Sequence, residues 1–129
     1  MRILTAMLEG CRLMAFLATQ DGRRARAFYE TTLGFEVLSD DDFALALDAG
    51  GTMVRIQKVA AFDPQPFTAL GWEVRDIAGA VEELRAAGVA FDRFAGLDQD
   101  DRGIWQSPNG ARVAWFKDPD GNILNVFSA

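Results

Sequence analysis

The feature that most constrains this 129-residue chain is that its second half repeats the punctuation of its first. A strand-length apolar run, Leu13 to Thr19, is followed by Asp21 and Gly22. Ala27, Phe28, Thr31 and Leu33 then fall at helical spacing, and Gly34 ends the segment. An aspartate before a helix accepts hydrogen bonds from the unpaired N–H groups of its first turn, and a glycine after it takes up the left-handed backbone that closes the last. The same order recurs as Leu70 to Val74, Asp76, the stripe Ala80, Val81, Leu84 and Ala87, and Gly88. Asp21 to Gly34 thus matches Asp76 to Gly88.

Each predicted helix leads into short apolar or alternating runs that read as a meander of strands. In the first half these are Phe35 to Leu38, Phe43 to Leu47 and Thr52 to Val59, separated by Asp40-Asp41-Asp42 and Gly50-Gly51. In the second they are Ala90 to Phe94, Gly103 to Ser107, Ala111 to Phe116 and Ile123 to Phe127. Their breaks are Asp98 to Asp101, Pro108-Asn109-Gly110 and Asp118-Pro119-Asp120-Gly121, all turn chemistry. The expected fold is α+β, with two βαβββ units over about 13–60 and 68–128 joined by an extended connection at Pro64 and Pro66. A half-sheet cannot bury both of its faces alone, so paired units should form a curved sheet around a cleft. Residues 13–129 are expected to be a single domain, as suits this length, and residues 1–12 a leader peripheral to it, an added edge strand or helix.

Composition narrows the partners. A net charge of −6 without a run of Lys or Arg disfavours nucleic acid, whose phosphates require clustered cations. The same acidity would attract a cationic ligand, although it also serves simply to keep the protein in solution. No segment approaches the ~20 apolar residues of a membrane span. Cys11 is the single cysteine, so no internal disulfide can form, and a reducing cytoplasm is the expected compartment. With no histidine beside it to activate it, Cys11 is expected to be inert.

Phe28-Tyr29 followed by Leu33-Gly34-Phe35, together with Asp118-Pro119-Asp120-Gly121-Asn122, resemble the two signatures of the vicinal oxygen chelate superfamily. Glyoxalase I, extradiol dioxygenases and bleomycin resistance proteins belong to that group. The resemblance spans residues 13–128 and implies the paired βαβββ fold, a small-molecule ligand in the cleft and a homodimer, often with exchanged units. It does not fix the reaction. Metal-using members carry His on the first strand and Glu on the last strands. Laid on this sequence, those positions are Met14, Ala69, Arg55 and Asn125. Neither a thioether, a methyl nor a guanidinium replaces an imidazole or carboxylate at a divalent ion, and Asn125 offers only one neutral oxygen. The expectation is therefore no cofactor and no metal.

Residues two apart on a strand share a face, so the cleft should also receive Phe16 and Ala18, Met53 and Gln57, Gly71 and Glu73, and Ile123 and Phe127. Val54, Ile56, Leu124 and Val126 would then lie under the helices, as would Trp72, while Trp115 and Trp105 join the cleft. Candidate ligand-binding residues are Phe16, Arg55, Gln57, Glu73, Trp105, Trp115 and Asn125. Arg55 and Glu73 are charges on an inner sheet face, which is costly unless they are paired or wetted, so they either pair with each other or meet a ligand. Tyr29 is expected to be a packing residue with its hydroxyl at the surface. The favoured function is metal-independent binding of a drug-like or cationic aromatic molecule. The alternative is a lyase, isomerase or dioxygenase-related enzyme acting on a small metabolite, with Glu73 as general base and Arg55 stabilising a developing anion.

Overall fold

The chain is described over residues 7–129 in a computed structural model. The first unit runs β1 (Met14–Thr19), a helix α1 (Gly22–Arg26) that continues as a π-helix over Ala27–Thr32, β2 (Glu36–Asp40), β3 (Ala44–Asp48) and β4 (Met53–Lys58). The second runs β5 (Thr68–Glu73), α2 (Ile77–Ala86), β6 (Trp105–Gln106), β7 (Arg112–Lys117) and β8 (Ile123–Ser128). Each unit forms a four-stranded sheet, ordered β1-β4-β3-β2 and β5-β8-β7-β6. β1 and β5 pair in parallel with β4 and β8, and the other pairings are antiparallel. The two βαβββ units predicted from the repeat are both present, in two curled sheets that do not close into a barrel.

The helix boundaries follow the predicted capping. Asp21 accepts from the N–H of Arg24 and Asp76 from that of Gly79. Gly34 and Gly88 have φ of +80° and +101°, a backbone closed to most side chains. The buried stripe of the first helix differs from the predicted one. Ala25 and Tyr29 are its buried members, Phe28 and Leu33 are half-buried, and Ala27 and Thr31 are exposed. The cause is the π-helical segment, in which Leu33 N–H donates to Phe28 O, five residues back, so that a 3.6-residue period no longer predicts the inward face. The predicted strand Ala90 to Phe94 is also corrected. Apart from a single bridge between Phe91 and Phe116, the segment is irregular, because the carboxamide of Gln99 takes the place of a strand partner. Gln99 accepts from Phe94 N–H at 2.7 Å and donates to the carbonyls of Asp92 and Gly103. Of the predicted leader, residues 1–6 lie outside the described residues, 7–9 form a helical turn, and Met7, Leu8 and Leu13 are exposed.

The core lies between each sheet and its helix. Leu45, Leu47, Val54 and Ile56 are buried against Ala25 and Tyr29, and Ala114, Phe116, Leu124 and Val126 against Ile77 and Val81. The units dock through matching turns. Asn122, in the β7–β8 turn, donates its side-chain N–H to Ala18 O of β1, and Trp72 of β5 donates its indole N–H to Ala49 O in the β3–β4 turn. Phe35 stacks on Trp72 with ring centroids 5.4 Å apart.

Tyr29 is the clearest departure from expectation. Its hydroxyl is buried and donates to Asp118 Oδ2 at 2.7 Å, across the boundary between units. Burial, followed by the negative charge of Asp118, raises the Tyr29 pKa far above the usual phenol range, so the hydroxyl keeps its proton and remains a donor. Asp118 also accepts from Asn122 Nδ2, at 2.8 Å, and from the N–H groups of Asp120 and Asn122. A buried carboxylate deprived of one donor keeps its desolvation cost. Tyr29→Phe is therefore expected to lower stability by about 1–3 kcal/mol in urea unfolding, with the far-ultraviolet spectrum unchanged. A loss below a few tenths of a kcal/mol would mean that this bond does not tie the units together.

Candidate functional site

The alternation of burial along the strands fixes which side chains face away from the helices. In β4, Val54 and Ile56 are buried, whereas Met53 and Arg55 are half-buried and Gln57 is exposed. In β8, Leu124 and Val126 are buried, and Ile123, Asn125 and Phe127 are half-buried. The strand register pairs Phe16 with Arg55, Gly71 with Asn125, Glu73 with Phe127 and Trp115 with Asn125. The structure therefore places Phe16, Arg55, Gln57, Glu73, Trp115 and Asn125 on the face predicted from parity. Trp105 lies on that face as well, opposite Val113 and with its ring centroid 6.0 Å from that of Trp115.

These residues do not converge on one point. A hollow of about 490 Å³ lies where β1 meets the start of β5 and is roofed by the connection between units. Of the seven candidates only Phe16 and Gln57 line it. The rest of its wall includes Phe62, Asp63, Pro64 and Phe67, which sequence reasoning missed because proline-rich spacing marks a connection without showing that it folds back over a cleft. Trp115 lines an adjoining hollow of about 220 Å³ with Phe94, Leu97 and Phe67, and its indole N–H donates to Thr68 Oγ1 at 3.2 Å. Glu73 lines a third hollow, of about 340 Å³, at the other end of β5. Arg55, Trp105 and Asn125 line none of these three. No ion pair joins Arg55 to Glu73, so the mutual pairing considered from sequence is not formed.

The groove carries two exposed aromatic rings. Phe16 is 55% and Phe67 61% exposed, although rings of this size are normally among the residues a fold covers. Asp63 is the one charged side chain among the described residues that line it. Two aspartates of the predicted β2–β3 turn, Asp40 and Asp41, are held by partners within the fold. Asp40 pairs with Lys58 and Arg26, whose hydrogen bonds hold its pKa below the usual carboxylate range. Asp41 is lowered by backbone N–H bonds from Ala44 and Phe43. Because both are depressed in the folded state, the stability they contribute is present above the unfolded carboxylate range and is lost as pH falls below it.

The positions at which the family resemblance implies metal ligands do not fit a divalent ion. Met14, Ala69, Arg55 and Asn125 supply no imidazole and no carboxylate, and no three His, Cys, Asp or Glu side chains converge among the described residues. The Asn125 Oδ1 atom is buried without a hydrogen-bond partner and occupies the space that a Cβ at Gly71 would need. The glycine thus makes room for the amide. Gly71→Ala is expected to cost about 1–3 kcal/mol through this overpacking, and much less when made together with Asn125→Ala. Equal costs in both backgrounds would show that the two positions are not in contact.

Comparison with known proteins agrees with this architecture. No protein of curated function matches the sequence significantly. Among solved structures, a bleomycin resistance determinant encoded on the transposon Tn5 superposes with a TM-score of 0.72 at 22% identity, covering 92% of this chain and 97% of that one. A superfamily member from Sphaerobacter thermophilus gives 0.70 at 26% identity, covering 93% and 98%. A lactoylglutathione lyase from Agrobacterium tumefaciens gives 0.68 at 16%, covering 93% and 94%. No helix among the described residues is long and apolar enough to cross a membrane. Residues 12–126 match the sequence pattern of one family, and the chain belongs to the Glyoxalase/Bleomycin resistance protein/Dioxygenase superfamily.

Proposed function

We propose that this protein binds a small, flat, cationic aromatic molecule in the groove between β1, β5 and the inter-unit connection, without a divalent metal. The observation that carries this reading is the pair of exposed rings, Phe16 and Phe67, on one groove whose single charged wall residue is Asp63. Exposed phenyl rings gain by stacking on a ligand plane, and a carboxylate at the edge favours a cation. The overall charge of −6 adds a long-range attraction of the same sign. Binding without chemistry is also what a bleomycin resistance function would require, and a determinant of that kind shares the fold. The acid–base alternative has less support, since Glu73 lines the hollow of about 340 Å³ and Arg55 lines neither that hollow nor the groove. The protein works as a homodimer in this proposal. The exposed Leu13, Met14 and Leu38 cluster around a hollow that Met53 also lines, and this is apolar surface a second copy would cover.

Titration with proflavine, a planar cationic dye, tests the site. Trp115 lies beside the groove through Thr68, so its emission is expected to quench saturably. Phe67→Ala and Asp63→Asn should each weaken binding about tenfold, equivalent to ~1.4 kcal/mol, with urea stability unchanged. Flat titrations across proflavine and other basic aromatic compounds would overturn the proposal. Native mass spectrometry of the purified protein should show a dimer without stoichiometric metal. A bound divalent ion would return the enzymatic alternative to the front, and a monomer would remove the dimer from the proposal.

A further inference from the structure

A second polar hollow, of about 260 Å³, lies at the C-terminal end of α2 and shares no residue with the groove. It is lined by Arg85, Arg93 and Arg102, with Val89 and Phe91 as an apolar floor and Asp101 as its one acidic wall residue. In a chain that is acidic overall, three guanidinium groups around one concavity call for an explanation. Stability accounts for only part of it. Arg93 braces the irregular loop by donating to the carbonyls of Asp100, at 2.7 Å, and Gln99. Arg85 and Arg102 share one carboxylate, Glu82, at 3.5 and 3.0 Å, and all three of those side chains are about half exposed. Exposed pairs of this kind contribute little to folding.

Nor are the arginines needed to satisfy the end of the helix. The carbonyls of Glu83, Leu84 and Arg85 already accept from the backbone N–H groups of Ala87, Gly88 and Val89. What the contacts do achieve is orientation. Glu82 and the loop carbonyls take some of the donors, leaving others on each planar fork unassigned. Within the lining the three arginines face one carboxylate, Asp101, while Glu82 bridges Arg85 and Arg102 and the Asp100 carboxylate is taken up by the backbone N–H groups of Arg102 and Ile104. The hollow has no counterpart loop in the first unit, where β2 begins at Glu36 soon after the helix ends at Thr32. It exists because Gln99 holds the segment between α2 and β6 as a loop, and this loop carries Arg93 and Arg102.

We infer that the hollow at the end of α2 is an oxyanion site that takes a phosphoryl group, free or on a small molecule, through the forks of Arg85, Arg93 and Arg102. Arginine suits this role because its planar donors match phosphate oxygens in pairs. The inference does not rest on the aromatic groove. The test is a titration of the full chain with inorganic phosphate and, separately, phenyl phosphate at low ionic strength, following backbone amide shifts by NMR. Saturable shifts centred on residues 85–103 are expected, with a dissociation constant below about 10 mM. Arg85→Gln and Arg102→Gln should each weaken binding about tenfold while leaving the spectrum of the remaining chain unchanged. Equal affinity for the two probes would identify the bare oxyanion as the ligand, and tighter binding of phenyl phosphate a phosphate ester. Shifts that do not saturate, that scatter over the chain, or that persist unweakened in both variants would overturn the site.

Discussion

The buried carboxylate of Asp118 is the point on which the relation between the two units depends. A charge removed from water at this depth survives only if donors surround it, and four donors do: one from Tyr29, two from Asn122 and one from the backbone of Asp120. Three of these come from the turn itself and one from the other unit's helix, so the carboxylate does not gain its full set of bonds unless the units are docked. Asp120 extends the link, accepting from the Thr19 hydroxyl, from the N–H of Gln20 and from Arg24 at 3.1 Å. The positions of β1 and β8 relative to one another, and so the groove between the units, are fixed by this cluster of charge-assisted bonds together with the shared apolar core.

The groove in turn depends on small side chains. Ala18 and Ala69 line it, and Ala44 and Ala46 of β3 are buried beside Gln57 and Arg55 in the register. Larger residues at Ala18 and Ala69 would fill the concavity, as Asn125 fills the space above Gly71. Over this floor the chain between Lys58 and Thr68 returns as a roof, held where Gln20 donates to Ala60 O and where Pro64 packs close to Gly121. The same turn that docks the units therefore also supports the roof. The exposed rings of Phe16 and Phe67 result from this construction, since floor and roof meet without closing.

Much of the fold was legible because repetition is a signal independent of any single propensity. Asp21 and Asp76 as caps, Gly34 and Gly88 as stops, and the inward parity of Val54, Ile56, Leu124 and Val126 all follow from local rules. What escaped involves partners distant in sequence. Tyr29 is separated from Asp118 by 89 residues, and nothing in its neighbourhood announces a buried acceptor. The π-helical segment and the Gln99 carboxamide replaced regular hydrogen bonds with irregular ones, which hydrophobic period does not register. The candidate site was legible as a face but not as a cavity. Strand parity put seven side chains on one side of two sheets, whereas the curl of those sheets and the path of the connection decided that Phe16 and Gln57 share a groove while Glu73 stands over another hollow.

The chemistry left in the cleft follows from which groups occupy the family's ligand positions. A metal site needs several deprotonated donors aimed at one point, and its ligands must be held against their mutual repulsion. Here one such position carries a cation, Arg55, and another an amide wedged against a glycine, Asn125. Substituting one residue would not rebuild the donor set, because the guanidinium would still repel an incoming ion. What the cleft keeps is concavity, aromatic surface and a carboxylate at its edge, all of which act on a ligand through stacking and charge and none of which requires bonds to be broken. The proposed function, recognition by stacking and charge, draws only on groups that this sequence supplies to the groove.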